Sequence, residues 1–169
     1  MSYAIDLDKS ILLVDDDELL LDTFKMFLEM EGYNVLAVST PYKALQLIKD
    51  NKIQLAILDY NLPNMNGVQL GRLIHKVQEE AMIMFISGSP DIHKFVKDAN
   101  YSISAVLAKP IEVDHLALTV RSIIGESKSP QTIEPKNEIS KIQKLTRIFS
   151  ISYGMSSPNN LSTFGNISI

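Results

Sequence analysis

Five short apolar runs alternate along this chain with five stretches of helical periodicity, and that rhythm leaves few folds open. The apolar runs are 11–14, 33–39, 53–58, 81–86 and 104–108. The helical stretches are 19–28 (before a stop at Gly32), 41–48 behind Pro41, 68–79, 91–100 and 112–124. Their apolar faces are predicted to include Leu19, Leu73, Val77 and Leu118. An unbroken apolar run suits a strand covered on both faces. Strand–helix alternation then calls for a parallel sheet wrapped by helices, with right-handed crossovers. All strands point one way, so their C-terminal ends share one edge, where open α/β sheets bind ligands.

The residues predicted at that edge form a chemically matched set. The first run ends in Asp15 and Asp16, the third in Asp59, the fourth in Ser87 and the fifth in Lys109. Asp59 is followed by Pro63, Asn64, Asn66 and Gly67, which are loop residues. Singly, each has a plain reading as a cap or loop acid, a turn serine or a surface lysine. Jointly, they are brought together by topology although 44 residues separate Asp15 from Asp59 and 50 separate Asp59 from Lys109. Clustered carboxylates raise one another's pKa unless a cation joins them. An all-oxygen acidic site suits Mg²⁺, which takes a few carboxylates and keeps its waters. Such a cation and Lys109 would flank Asp59 with positive charge, as phosphoryl transfer requires. The carboxylate could then act as nucleophile, giving an acyl phosphate, with Ser87 bonding a phosphoryl oxygen.

Four motifs carry a family resemblance: VDDDE at 14–18, LDYNLPNMNG at 58–67, SGS at 87–89 and KP at 109–110. In this order they resemble the receiver domain of bacterial two-component response regulators, the chemotaxis (CheY-like) type, over residues 9–124. The resemblance implies a flavodoxin-like fold, a doubly wound five-stranded parallel sheet in the order 2-1-3-4-5. It implies that Asp59 is the phosphoacceptor, served by a histidine kinase or phosphotransfer protein. Asp15, Asp16, Asp59 and the backbone carbonyl of Asn61 would hold Mg²⁺. Lys109 and Ser87 would contact the phosphoryl group, Lys109–Pro110 would be cis, and Pro63 and Gly67 would shape the loop after the third strand. The chain would be a phosphoacceptor and no enzyme beyond self-catalysed phosphorylation and dephosphorylation. One position departs from the family pattern: relatives often place a switching Tyr or Phe three residues before the lysine, and here Val106 stands there. Asn61 and Ser89 hold the two positions that tune acyl-phosphate lifetime in relatives, and both are small and polar.

The domain reading is a receiver over 1–124 and a linker and tail over 125–169, beginning ESKSPQTIEPKNE. Within the tail, 138–149 has an amphipathic pattern, with Ile139, Ile142, Leu145, Ile148 and Phe149 on one helical face. Residues 1–124 hold 11 basic and 17 acidic side chains, against five and three in 125–169. An acidic receiver argues against nucleic acid as a direct partner. The tail is too short for a DNA-binding domain with its own core. The expectation is a single-domain regulator that signals by contact with a downstream protein, its tail docking on protein in preference to an anionic membrane. With no Cys, no signal peptide and no run long enough for a membrane helix, the expected location is cytoplasmic.

Two rival readings of the same residues are weaker. A haloacid-dehalogenase-type phosphatase would use Asp15 as nucleophile and Asp17 as general acid. It lacks a further acidic pair on a strand after Lys109, offering only Glu112 and Asp114, and leaves LDYNLPNMNG unexplained. A non-phosphorylated docking module would have no use for the complete acid, serine and lysine set. His75, His93 and His115 fall on separate helices and read as solvated surface. Met82, Met84 and Phe85 read as core.

Overall fold

The computed structural model describes residues 10–89, 92–97 and 99–125. The chain divides into two units, Met1–Gln131 and Thr132–Ile169. The second unit, with the amphipathic pattern at 138–149, lies outside the described residues.

The strands are β1 (Ser10–Val14), β2 (Asn34–Val38), β3 (Leu55–Asp59), β4 (Met82–Ser87) and β5 (Ile103–Ala108). Between and after them run α1 (Glu18–Met30), α2 (Pro41–Asp50), α3 (Gly67–Val77), α4 (Ile92–Lys97) and α5 (Val113–Ile124). Every strand pair is parallel and the order is β2-β1-β3-β4-β5, the doubly wound flavodoxin-like arrangement.

Alternate strand residues face opposite sides of the sheet. Ile11, Leu13, Ile57, Met84 and Ile86 pack with Phe24 and Leu28 of α1 and with Leu116 and Val120 of α5. Leu12, Val14, Ala56, Leu58 and Phe85 pack with Ala44 and Ile48 of α2, Leu70 and Ile74 of α3, and Ile92 of α4. Both faces are covered, and for that reason the central strands read as continuous apolar runs instead of alternating.

Local chemistry sets the helix starts. Asp17 caps α1 by accepting from the N–H groups of Leu19 and Leu20. Thr40 caps α2, with Pro41 in first position, and Asn66 with Gln69 forms a reciprocal capping box on α3.

Several boundaries differ from the sequence reading. β3 begins at Leu55, not at 53, because the Ile53 N–H is taken by Gln78 Oε1 at 2.8 Å. The Gln78 amide donates to the carbonyls of Ile48 and Asn51, each at 2.7 Å, and α3 stops before it, short of 79. α4 is shorter than 91–100, and beyond it the Ala99 N–H turns back onto the Val96 carbonyl at 3.2 Å.

Leu118 is 60% exposed, contrary to its predicted place on the apolar face. It lies about 200° around α5 from Leu116, at 100° per residue, and so on the solvent side. Leu19, Leu73 and Val77 are likewise exposed, at the ends and flank of their helices. Met84 and Phe85 are core as predicted, while Met82 is half-buried. Among the described residues, no helix is long and apolar enough to cross a membrane.

Candidate functional site

The C-terminal edge of the sheet assembles the predicted residues. Leu58 of β3 pairs with Val14, and Asp59 pairs with Ile86. Asp15 and Asp16 directly follow β1 on one side, and Ser87 is the last residue of β4 on the other. One carboxylate oxygen from each of Asp15, Asp16 and Asp59 lies within 4.8 Å of the others. Asp15 and Asp59 are buried, 1% and 4% exposed, and Asp16 is open to solvent.

Lys109, just past β5, reaches over both buried acids. Its Nζ is 2.8 Å from Asp15 Oδ2 and 3.4 Å from Asp59 Oδ1. The other Asp15 oxygen accepts from the Asp17 N–H at 3.0 Å. The Lys109 N–H donates to the Ser87 carbonyl at 2.8 Å, which ties the ends of β4 and β5 together. Lys109–Pro110 is cis, as the resemblance implied. Ser87 is buried, and its Oγ accepts from the Ser89 N–H at 2.9 Å.

The loop after β3 is held tightly. The Tyr60 N–H donates to the Ile86 carbonyl, and the Gly67 N–H donates to the Tyr60 carbonyl. A Cβ at Gly67 would stand 2.2 Å from the Asp59 carbonyl oxygen, so only glycine fits this approach. Asn64 takes a left-handed conformation (φ 66°), which Asn tolerates better than most residues.

Burial raises the Asp59 carboxyl above its ordinary pKa, and the Asp15 charge adds to the effect. Lys109 and a hydrogen bond from the Asn61 backbone pull it the other way without prevailing. For Lys109, burial alone would lower the ammonium pKa. The hydrogen bond and charge of Asp15, with the charge of Asp59, outweigh burial and hold it above normal.

Asp59 Oδ1 is buried and has no hydrogen-bond partner. A buried, unsatisfied carboxylate oxygen beside two further carboxylates fits a hard divalent cation. The donor set, all oxygen with one solvent-open member, leaves room for the waters that Mg²⁺ retains.

Residues 11–121 match the family described as response regulator receiver domain. The chain belongs to that family. Similar proteins include the cell cycle transcriptional regulator CtrA of Caulobacter vibrioides, 29% identical over 118 residues, which are 70% of this chain and 51% of CtrA. The transcriptional regulatory protein CpxR homolog of Haemophilus influenzae is 29% identical over 140 residues, covering 83% of this chain and 61% of the homolog. The chain thus spans about half the length of CtrA, the first of these relatives. Among solved structures, a CheY-like receiver domain protein from Methanospirillum hungatei JF-1 superposes with a TM-score of 0.63 at 32% identity. That match covers 68% of this chain and 91% of the other.

Within the receiver, Asp17 is the α1 cap, a structural duty that leaves the phosphatase reading's general acid without support. His75 corrects the expectation of a solvated histidine. It is half-buried, its ring stacked on Tyr101 at 5.7 Å between centroids. His115 is exposed, and the side chain of His93 lies outside the described residues. Two residues escaped the sequence reading. Gln78 bonds three backbone groups, one in the last turn of α2 and two in the α2–β3 connection, and its position carries no local signal. Tyr101 fills the space left by Gly71, and a glycine inside a helical pattern was the visible clue.

Proposed function

We propose that Asp59 is the phosphoacceptor of this receiver and takes its phosphoryl group from a histidine kinase or phosphotransfer protein. One observation carries the reading: a buried strand-end carboxylate with an unsatisfied oxygen, flanked by Asp15, Asp16 and the ammonium of Lys109. In the transfer, an Asp59 oxygen forms a bond to phosphorus while the phosphorus–nitrogen bond of a phosphohistidine breaks. The imidazole leaves with that electron pair. Lys109 neutralises charge on the phosphoryl oxygens, and Ser87 supplies a hydroxyl donor at the adjoining strand end. Asp15, Asp16, Asp59 and the Asn61 carbonyl would hold Mg²⁺, which supplies further charge neutralisation when bound.

Acetyl phosphate with Mg²⁺ should add one acid-stable, hydroxylamine-labile phosphoryl group. Asp59→Asn should not be labelled. Undiminished labelling of that variant overturns the assignment. The chain itself performs no catalysis on another molecule in this reading, beyond promoting gain and loss of its own phosphoryl group.

The output in this reading is a protein–protein contact in the cytoplasm. The acidic balance of 1–124 supports this over direct contact with nucleic acid. With Val106 in place of a switching aromatic, the Ser87–Ser89 loop and α4 carry the change. A second reading, with a DNA-binding output region, is favoured by the greater length of CtrA and the CpxR homolog and by their names as transcriptional regulators. The size of the protein isolated from its host separates the two. A chain much longer than this one would support the second reading.

A further inference from the structure

Tyr101 lies in the connection between α4 and β5 and is buried. Its phenol donates to the carbonyl oxygen of Val68, in the first turn of α3, at 2.9 Å. The ring reaches that carbonyl because residue 71 is glycine. A Cβ there would stand 2.6 Å from the Tyr101 oxygen and 3.2 Å from its Cζ. Glycine inside a helix is destabilising, so this close approach comes at the expense of α3 itself. The His75 imidazole, also on α3, stacks on the phenol ring itself, 29° from parallel. Burial pushes the Tyr101 phenol up to about 12, although Arg72 opposes it, so the group remains a protonated donor at neutral pH.

Two connections link this contact to Asp59. Val68 directly follows Gly67, whose backbone abuts the Asp59 carbonyl. Phe85, two residues before Ser87 on β4, has its Cζ 3.3 Å from the position of a Gly71 Cβ. Phe85 and Tyr101 share one apolar cluster with Ile92 of α4, and half-buried Val106 packs against it. The six-residue α4 therefore runs from the Ser87 loop at one end to the Tyr101 contact at the other.

We propose that the Tyr101–Val68 hydrogen bond is a latch that holds the α4–β5 connection on α3 in the unphosphorylated receiver and is released by phosphorylation. The proposal rests on Asp59 being the phosphoacceptor. Drawing Ser87 and Lys109 onto a phosphoryl group pulls the ends of β4 and β5 toward Asp59, and α4 follows Ser87. Tyr101 ties the far end of that short segment to α3, so both cannot be kept. The single hydrogen bond gives way before the packed strands do. Tyr101 is thus a positioning residue for the site, and by linkage its loss favours the phosphorylated arrangement.

The test titrates beryllofluoride, a phosphoryl mimic, with Mg²⁺ into the full chain, followed by NMR. Tyr101→Phe keeps the ring and removes only the donor. It should bind the mimic about two- to tenfold more tightly, the range set by one net hydrogen bond. Gly71→Ala displaces the phenol and should shift affinity the same way. The double variant should gain no more than the larger single effect. Unchanged or weaker binding by Tyr101→Phe overturns the latch, as do additive effects in the double variant. If Gly71→Ala does not fold, Tyr101→Phe decides alone. Failure of the wild type to bind, or binding that survives in Asp59→Asn, refutes the phosphoacceptor reading and the latch with it. Wild-type binding lost in Asp59→Asn, with Tyr101→Phe unchanged, refutes the latch only.

Discussion

Lys109 Nζ sits 2.8 Å from Asp15 Oδ2, closer than its 3.4 Å approach to Asp59 Oδ1. The lysine therefore serves chiefly as counter-ion to Asp15, with Asp59 second. A phosphoryl group on Asp59 and a cation on Asp15 would each weaken that pair, one by attracting the lysine and the other by replacing it. The two ligands thus act on the same ion pair from opposite ends.

Lys109→Ala should leave two buried carboxylates without their shared cation. We expect a loss of about 3 kcal/mol, the low end for a broken buried pair. Mg²⁺ should restore much of it, binding about three- to tenfold more tightly than to the wild type because a competing positive charge is gone. Denaturant unfolding with and without Mg²⁺ checks both parts. Equal Mg²⁺ affinity in the two proteins would contradict the competition.

Asp59→Asn should stabilise the protein in the absence of divalent cations. Burial raises the Asp59 pKa in the fold above its ordinary 3.8, so the ionised form costs stability at neutral pH. The gain from Asn should be full above the folded pKa, shrink as pH falls below it, and vanish under about 3.8. Melting curves of both proteins from neutral to acid pH, in chelator, read this directly. A variant less stable than wild type at neutral pH would reverse the sign.

Asp16→Ala should separate binding from folding. The side chain is exposed, so unfolding free energy should change by no more than about 0.5 kcal/mol. Mg²⁺ affinity should drop by about tenfold or more, because the cation has few protein ligands to lose. Calorimetric titration with Mg²⁺ measures it, and an unchanged constant would remove Asp16 from the site.

Gly67→Ala should damage both fold and site. Its methyl would stand 2.2 Å from the Asp59 carbonyl oxygen and 3.1 Å from the Tyr60 Cα, both backbone atoms that cannot swing away. Overpacking of this kind costs about 1–3 kcal/mol or more. Labelling by acetyl phosphate should fall, since the loop that orients Asp59 must move. Wild-type stability and labelling would show that the loop yields freely.

Much of this protein is legible in one dimension. The apolar runs at 11–14 and 55–58, each of four residues ending in an acid, suit strands covered on both faces, and the alternation along the whole chain turns that into a fold. Alternation with helices then forced a parallel sheet, and a parallel sheet has one edge where all its C-terminal ends meet. That topology by itself brings Asp15, Asp59, Ser87 and Lys109 together. Leu118 departs from its predicted burial because apolar character alone does not bury a residue; only the face of α5 turned to the sheet is covered. The ends of α3 and β3 were misplaced because Gln78 supplies its hydrogen bonds across 25 to 30 residues of sequence, beyond any local pattern.

The fold class, the polarity of the sheet and the side chains that stand at its C-terminal edge all follow from the period and termination of apolar runs. Tertiary structure alone decided how those side chains are shared. Lys109 is bonded first to Asp15, Asp17 is spent on a helix cap, and the buried Oδ1 of Asp59 has no hydrogen bond and only the more distant Lys109 ammonium beside it. It alone decided that Tyr101 fills the space of a missing side chain at Gly71. Such pairings turn on small differences in distance, as between the 2.8 and 3.4 Å approaches of Lys109 to Asp15 and Asp59, that no pattern in the chain records. Periodicity fixes the face on which a side chain lies and leaves open which neighbour it meets there.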